Sequence, residues 1–388
     1  MPTFPTVIEL LQKMVSFDTV NSMISGKPNA EQPLALWLEE FAQSHDFKTT
    51  RLPLDNGDFN LLVSYEVAPD NPWIFFESHL DVVSIEGMTI EPFAAKIEDG
   101  KMWGRGSCDT KATGASMLCA LKNYRESAEQ HNNIGVLFTC DEEVTKRGSV
   151  GFAHQQLPTL GFRPVGVIVG EPTMLQPVIA HNGVARIHIT TSGVAAHSSN
   201  PANGRSAITE MVKVIQRLES EYVPSLTAHH PLTGKAQASI NMIKGGTQFN
   251  IIPDKCEIGM DRRLVPGENP KDVPPAVEAV LAPLKAEMPG ADIQVTVFFD
   301  DPPLNPSEGP FNDYVNQVLS AFGPVEPSGV PYGTDASNFA AVNLPAIVLG
   351  PGHISQAHTK DEWIALEQVE KAVEVYGALM SSPFNRGF

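Results

Sequence analysis

Two histidines and a set of carboxylates recur along this chain in one local setting. WIFFES runs into His79-Leu80-Asp81, GRGSC into Asp109, VLFTC into Asp141-Glu142-Glu143, and VIVG into Glu171-Pro172-Thr173. A fifth group, Gln356-Ala357-His358, follows PAIVLGPG, and His353 lies in the same stretch. Each cluster follows an apolar run that reads as a strand, or a glycine-rich turn. In α/β sheets the groups beyond the carboxyl ends of the strands converge even when they are distant in sequence. Imidazole and carboxylate without thiolate suit zinc, cobalt or manganese. One ion needs only three or four protein ligands, so five or more converging groups point to two ions. A carboxylate then bridges them, and a water between them becomes a nucleophile near neutral pH.

Asp109, at the start of a predicted helix on a glycine-rich loop expected to be flexible, is the natural bridge. His79 and Asp81 stand two apart in an extended segment and point to the same side, so Asp81 can hold the imidazole in its metal-binding tautomer. Glu142 and Glu143 are adjacent and point differently. One can bind metal while the other takes a proton from water as general base. The residues by themselves do not say which, nor whether His353 or His358 is the ligand. Taken singly, an HxD, an acidic loop or a Glu-Pro-Thr turn is ordinary; five repetitions of one context carry the argument. His188 alternates with Arg186 and Thr190 on a polar strand face, and His229 and His230 have no partner pattern.

The elements that would position these groups are legible as periodicities. Val7, Ile8, Leu10, Leu11, Met14 and Val15, and then Leu34, Trp37, Leu38 and Phe41, recur at helical spacing. Short apolar runs then alternate with helical patterns: NLLVSYE, WIFFES, the helix-like ATGASMLCALKNYRE, IGVLFTC and VGVIVG. This alternation predicts an α/β unit with a mainly parallel sheet. From about residue 178 the rhythm becomes βαββαβ: VARIHITT, a helix over 206–222, QASINMI, KCEIGMD, a helix near 272–287, and IQVTVFF. That order is a ferredoxin-like unit, placed as an inserted lid and dimerisation domain at 178–300. The Pro-rich DDPPLNPSEGP returns the chain, so 1–177 and 301–388 form the metal-binding catalytic domain, closed by a helix around 366–381.

The bulk properties exclude more than they name. A chain of 388 residues, 42% hydrophobic and 19% charged, is long enough for two or three globular domains. A formal charge of −18 argues against partners that need clustered Lys and Arg, namely nucleic acid and anionic membrane. The N-terminal segment lacks the pattern of a signal peptide and no stretch is apolar enough to span a bilayer, so a soluble cytoplasmic protein is expected. Cys108, Cys119, Cys140 and Cys256 form no CxxC pair and are expected to be buried, reduced thiols.

With these residues in hand, the chain resembles the M20 metallopeptidase and deacylase family over nearly its whole length, most closely its acetylornithine deacetylases. SHLDVV matches GH-x-D-x-V, MWGRGSCDTKA matches GRG-x-x-D-x-K-G, TCDEE matches T-x-DEE, and VGEPT matches the GEP-T segment. GVAAHSSNPANGRSAI resembles the lid motif, and LGPGHISQAHTKDEW resembles LGPG followed by QAH-x-x-DE. The resemblance implies two divalent ions, zinc or cobalt, with His79 and Glu171 on one, Glu143 and His358 on the other, and Asp109 between them. It makes Glu142 the base, Asp81 the support of His79, and His197 an oxyanion stabiliser, reached across a homodimer formed through the lid. Asn250 and Arg263 fall where the family contacts substrate, with Arg262 competing for the arginine role. Ser78, Ala112 and Ala196 stand where the family has glycine. The implied activity is hydrolysis of an N-acyl amino acid such as N-acetylornithine. Succinyl-diaminopimelate desuccinylase, dipeptidase or carboxypeptidase activity on the same centre is the alternative, and a non-catalytic amino-acid-binding role is the outlier.

Overall fold

The computed structural model describes residues 3–55 and 57–384, and the chain divides into two compact units. One comprises residues up to 179 with 306–328 and 334–388; the other comprises 180–305 with 329–333.

In the first unit four parallel strands form the heart of the sheet, in the order Asn133–Thr139, Trp73–His79, Gly166–Val169 and Ala346–Val348. Strands Phe59–Tyr65 and Lys48–Pro53 extend it antiparallel on one side. The central strands are buried on both faces, which is why WIFFES and IGVLFT read as unbroken apolar runs. Helices Val7–Val15, Lys111–Glu126 and Leu366–Ser381 pack together in the same core cluster as the sheet. Phe76 and Tyr376 meet edge to face inside it. Each fully buried side chain of that size contributes about 1.5–3 kcal/mol through removal from water. The helix Val7–Val15 starts at a capping box in which Thr6 and Glu9 satisfy each other's backbone donors.

The second unit has the order βαββαβ. Strands Gly183–Ser192, Gln237–Gly245, Lys255–Leu264 and Asp292–Asp301 form an antiparallel sheet in which the first and third are central. Ala185, Ile187 and Ile189 alternate inward on one strand, as do Cys256, Ile258 and Met260 on another. Helix Ala207–Arg217 covers them with Met211 and Val214, and helix Val273–Glu287 with Val277, Leu281 and Leu284.

The short strands Lys96–Glu98, Lys101–Trp103 and Trp363–Ala365, which form a small sheet of their own, have no period long enough to be read from sequence. No helix among the described residues is long and apolar enough to cross a membrane. All four cysteines are buried.

Candidate metal centre

The parallel register brings the chemistry-bearing residues to one edge. His79 stands opposite Thr139, and Glu77 opposite Val169, so residue 171 continues level with His79. Val348 stands opposite Val169, which brings the Gly350 turn level with Glu171. Gly170 permits this packing: a Cβ there would lie 2.1 Å from Thr113 Cγ2 of helix Lys111–Glu126 and 2.8 Å from the Glu77 carbonyl. Asp109 immediately precedes that helix, and Ser78, in place of a glycine, donates from Oγ to the Thr110 carbonyl at 3.3 Å.

The donor atoms of the first unit form two connected groups. His79 Nε2 lies 3.0 Å from Asp109 Oδ1 and 3.8 Å from Glu171 Oε1. His358 Nε2 lies 3.2 Å from Asp109 Oδ2 and 3.1 Å from Glu143 Oε2. Asp109 thus turns one carboxylate oxygen to each imidazole, with Glu171 on one side and Glu143 on the other. Glu142 joins His79 and Glu171 in a set whose ligand atoms lie within 4.8 Å of one another, and Glu143 joins His79 and Asp109 in another. His353 is elsewhere engaged: its ring caps the short turn Ile354–Gln356, accepting from Ser355 N–H at 3.1 Å.

Electrostatics make this a site that calls for cations. Five carboxylates, Asp81, Asp109, Glu142, Glu143 and Glu171, face His79, His358 and the Lys146 ammonium. Burial pushes the Glu143 carboxyl up to about 8, with the Asp109 charge adding to it, and pushes Glu171 well above the usual range for the same reasons. Burial alone would lower both imidazoles, yet the carboxylates against them raise the pKa of each. Burial would raise Asp109, but hydrogen bonds from His358 and His79 hold it far below an ordinary carboxylate. Hard-to-borderline divalent cations, with oxygen and imidazole ligands, fit this donor set.

A surrounding layer fixes the ligands. His79 Nδ1 lies 3.0 Å from the Asp81 carbonyl and 3.5 Å from its Oδ1, so the main chain of Asp81 contributes the shorter contact. The Asp81 carboxylate also organises the neighbouring loop, accepting the backbone N–H groups of Glu142 at 3.0 Å and Glu143 at 3.1 Å. Asn21, fully buried, donates from Nδ2 to Asp81 Oδ2 and to Asp141 Oδ1, each at 2.8 Å. Glu362 accepts N–H groups of Cys108 at 2.8 Å and Asp109 at 3.0 Å on one oxygen. Its other oxygen takes Gly106 N–H at 3.1 Å and Arg105 Nη1 at 2.9 Å. The glycine-rich loop expected to be flexible is therefore buried and clamped at Asp109. Sequence reasoning passes over Asn21, Lys146 and Glu362. Only Glu362 leaves a signal, inside QAHTKDEW; Asn21 acts on loops 60 and 120 residues away, and Lys146, though four residues from Glu142, is turned toward it by a loop that has no sequence period.

The other three predicted residues belong to the second unit. His197 and Asn250 are brought together there: His197 pairs with Ile251 in a two-residue antiparallel ladder, and Ser198 N–H donates to the Asn250 carbonyl at 3.0 Å. His197 is exposed, and Ser199 N–H donates to its Nδ1 at 3.2 Å, which assigns the neutral ring's proton to Nε2. Arg262 is buried in an ion pair with Glu268, whereas Arg263 lies on the opposite, more open face with Nε 2.6 Å from Asp261 Oδ1. Of the two arginines, Arg263 is the one left on a face open to a ligand.

Comparison with known proteins finds relatives along nearly the whole chain. The profile of peptidase family M20/M25/M40 matches residues 75–382. Acetylornithine deacetylase of Proteus mirabilis is 30% identical over 97% of each chain. Among solved structures, an M20 family metallo-carboxypeptidase from Sulfolobus solfataricus superposes with a TM-score of 0.78 at 18% identity, covering 97% of this chain and 99% of that one. The Bacillus subtilis YXEP protein, described as a dinuclear metal-binding M20 peptidase, superposes with a TM-score of 0.67 at 17% identity, covering 97% and 96%.

Proposed function

The chain belongs to peptidase family M20/M25/M40 and is a metal-dependent hydrolase, and from that premise we propose that it removes an N-acyl group, acetyl above all, from a small amino acid such as N-acetylornithine. The observation that carries the reading is Asp109, whose two oxygens each face one imidazole, each imidazole also lying against a further carboxylate, Glu171 or Glu143. His79 and Glu171 would hold one ion and His358 and Glu143 a second, with Asp109 serving both; zinc or cobalt suits the donors. Two divalent cations bound there would supply a water that is nucleophilic near neutral pH and would polarise the acyl carbonyl.

The chain's own residues then move the proton. Glu142 takes it from the attacking water as the new C–O bond forms, and returns it to the amine nitrogen as the C–N bond breaks, leaving a free carboxylic acid and a free amine. Burial raises the Glu142 pKa, which suits a group that must both accept and release a proton. His197, with its proton on Nε2, is suited to donate to the oxyanion, and Asn250 and Arg263 to contact the substrate. The name of the deacetylase relative supports the acetyl substrate. The peptidase fold neighbours favour dipeptides as the second reading. Metal-loaded protein assayed against N-acetylornithine, N-acetylcitrulline, N-succinyl-diaminopimelate and a dipeptide set separates them. The expected order places N-acetylornithine first; a dipeptide hydrolysed faster reverses the assignment.

A homodimer through the second unit is part of the proposal. Strand Gln237–Gly245 is an edge, and it exposes Met242 and Ile243 at 68% and 61%. Ile208 and Val212 on helix Ala207–Arg217 are exposed as well, and Ile208 reaches Gly245. An open apolar edge is the kind of surface a second copy covers. In that arrangement the partner's His197 completes each site. His197→Ala and Glu142→Gln chains, each inactive, should then regain about a quarter of wild-type activity after equal mixing and random exchange, since half the dimers carry one intact site. Confirmed subunit exchange without recovery would place His197 outside any site in trans.

A further inference from the structure

Glu142 and Glu143 are equally able to reach a ligand position. Each supplies an oxygen to a three-residue set with His79, Glu142 beside Glu171 and Glu143 beside Asp109. What separates them is the rest of their surroundings. Glu143 lies against His358, with Nε2 at 3.1 Å from one oxygen and 3.2 Å from the other. Glu142 instead has the Lys146 ammonium 3.4 Å from Oε1, with both side chains almost out of water at 10% and 7% exposure.

Lys146 is held there by a closed loop. Its N–H donates to the Asp141 carbonyl at 2.6 Å, and Gly148 N–H donates to the Cys140 carbonyl at 3.0 Å. Gly148 is required for this closure, because a Cβ would sit 2.5 Å from the Cys140 carbonyl oxygen. Lys146 takes a left-handed backbone, φ 55°, which turns the chain from the loop into helix Arg147–Gly151. Behind it lies Asp335, whose carboxylate accepts Ser149 Oγ at 2.6 Å and Thr139 Oγ1 at 3.3 Å and feels the charge of Lys146. Lys146 is therefore paired with one buried acid, the proposed base, and its charge is felt by a second.

We propose that Lys146 is a positioning residue that assigns the roles of the two glutamates: its ammonium pairs with the Glu142 carboxylate and keeps it from becoming a metal ligand, leaving it for proton transfer. The inference rests on the reading of Glu142 as base. A buried carboxylate already paired with an ammonium has less to gain from a cation than an unpaired one. With the ammonium removed, Glu142 would be free to join His79 and Glu171 as a ligand, the set its oxygen already lies within.

This predicts opposite changes in two measurements. Zn(II) titration of chelator-treated Lys146→Met should give tighter binding of one ion, and steady-state assay should give lower turnover, each change on the order of 10–100-fold as for other residues that orient ligands. Lys146→Arg, which keeps the charge, should return both toward wild type. The double variant Lys146→Met/Glu142→Gln should lose the gain in Zn(II) affinity, because the extra carboxylate is gone. Weaker Zn(II) binding together with lower turnover in Lys146→Met would make Lys146 merely structural, and unchanged values in both would remove its role altogether. Should Lys146→Met fail to fold, Lys146→Gln removes the charge and carries the same test. Wild-type turnover in Glu142→Gln overturns the assignment of the base itself; an inactive Glu142→Gln beside an unaltered Lys146→Met overturns only the inference about Lys146.

Discussion

Asp109→Asn is expected to leave at most one ion per chain and to lower turnover further than any other single substitution in the centre. The two carboxylate oxygens of Asp109 lie 3.0 Å from His79 Nε2 and 3.2 Å from His358 Nε2, so this one side chain serves both halves of the site. An amide of the same shape has one acceptor oxygen and one NH₂ donor, and the donor repels a cation where the second oxygen stood. The charge is lost as well, from the group whose imidazole partners hold it most firmly ionised. The loss of rate should exceed the roughly 10²–10⁴-fold contributed by a general base alone, because water activation and carbonyl polarisation both depend on the pair of ions. Elemental analysis beside a thermal melt checks the outcome. The backbone donors at Cys108 and Asp109 remain bound by Glu362, so the fold should persist. Two ions retained in Asp109→Asn would end the bridging assignment.

Glu142→Gln tests the other half of the chemistry. Turnover should fall by about 10²–10⁴-fold while both ions stay bound, because the residue is proposed to move a proton and not to hold metal. The amide keeps the size of the side chain and can still meet Lys146 through its oxygen, but it cannot accept a proton from water. Substrate affinity should change little, since the interaction lost belongs to the transition state. Loss of an ion in this variant would exchange the roles of Glu142 and Glu143, an exchange the donor distances alone permit.

Much of this was legible before any coordinates. Runs such as WIFFES and IGVLFT announce strands buried on both faces, and the spacing of Met211 and Val214 announces a helix against a sheet, because burial imposes a period on local sequence. The recurrence of His79, Asp109, Glu142, Glu143, Glu171 and His358 after strands and glycine turns marks them as candidates for one reason: the ends of parallel strands share an edge.

Pairing and orientation needed the tertiary structure. No sequence period states that His79 levels with Glu171 or that Asp109 turns one oxygen to each imidazole, since both follow from strand register and from the packing of Gly170 on helix Lys111–Glu126. The clamp of Glu362 on the Asp109 loop links residues 253 apart in the chain, and Asn21 joins two loops 60 and 120 residues away. Asp81 shows the limit most clearly: its spacing from His79 is consistent with a carboxylate aimed at the imidazole. In the folded chain the main-chain carbonyl makes the closer contact, and the carboxylate, 3.5 Å from the imidazole, also gathers the N–H groups of Glu142 and Glu143. Residue types decided which chemistry this protein can do, because charge and ligand character belong to single side chains. Which oxygen meets which partner was decided only by the fold, because direction belongs to the backbone that carries the side chain and to everything packed against it.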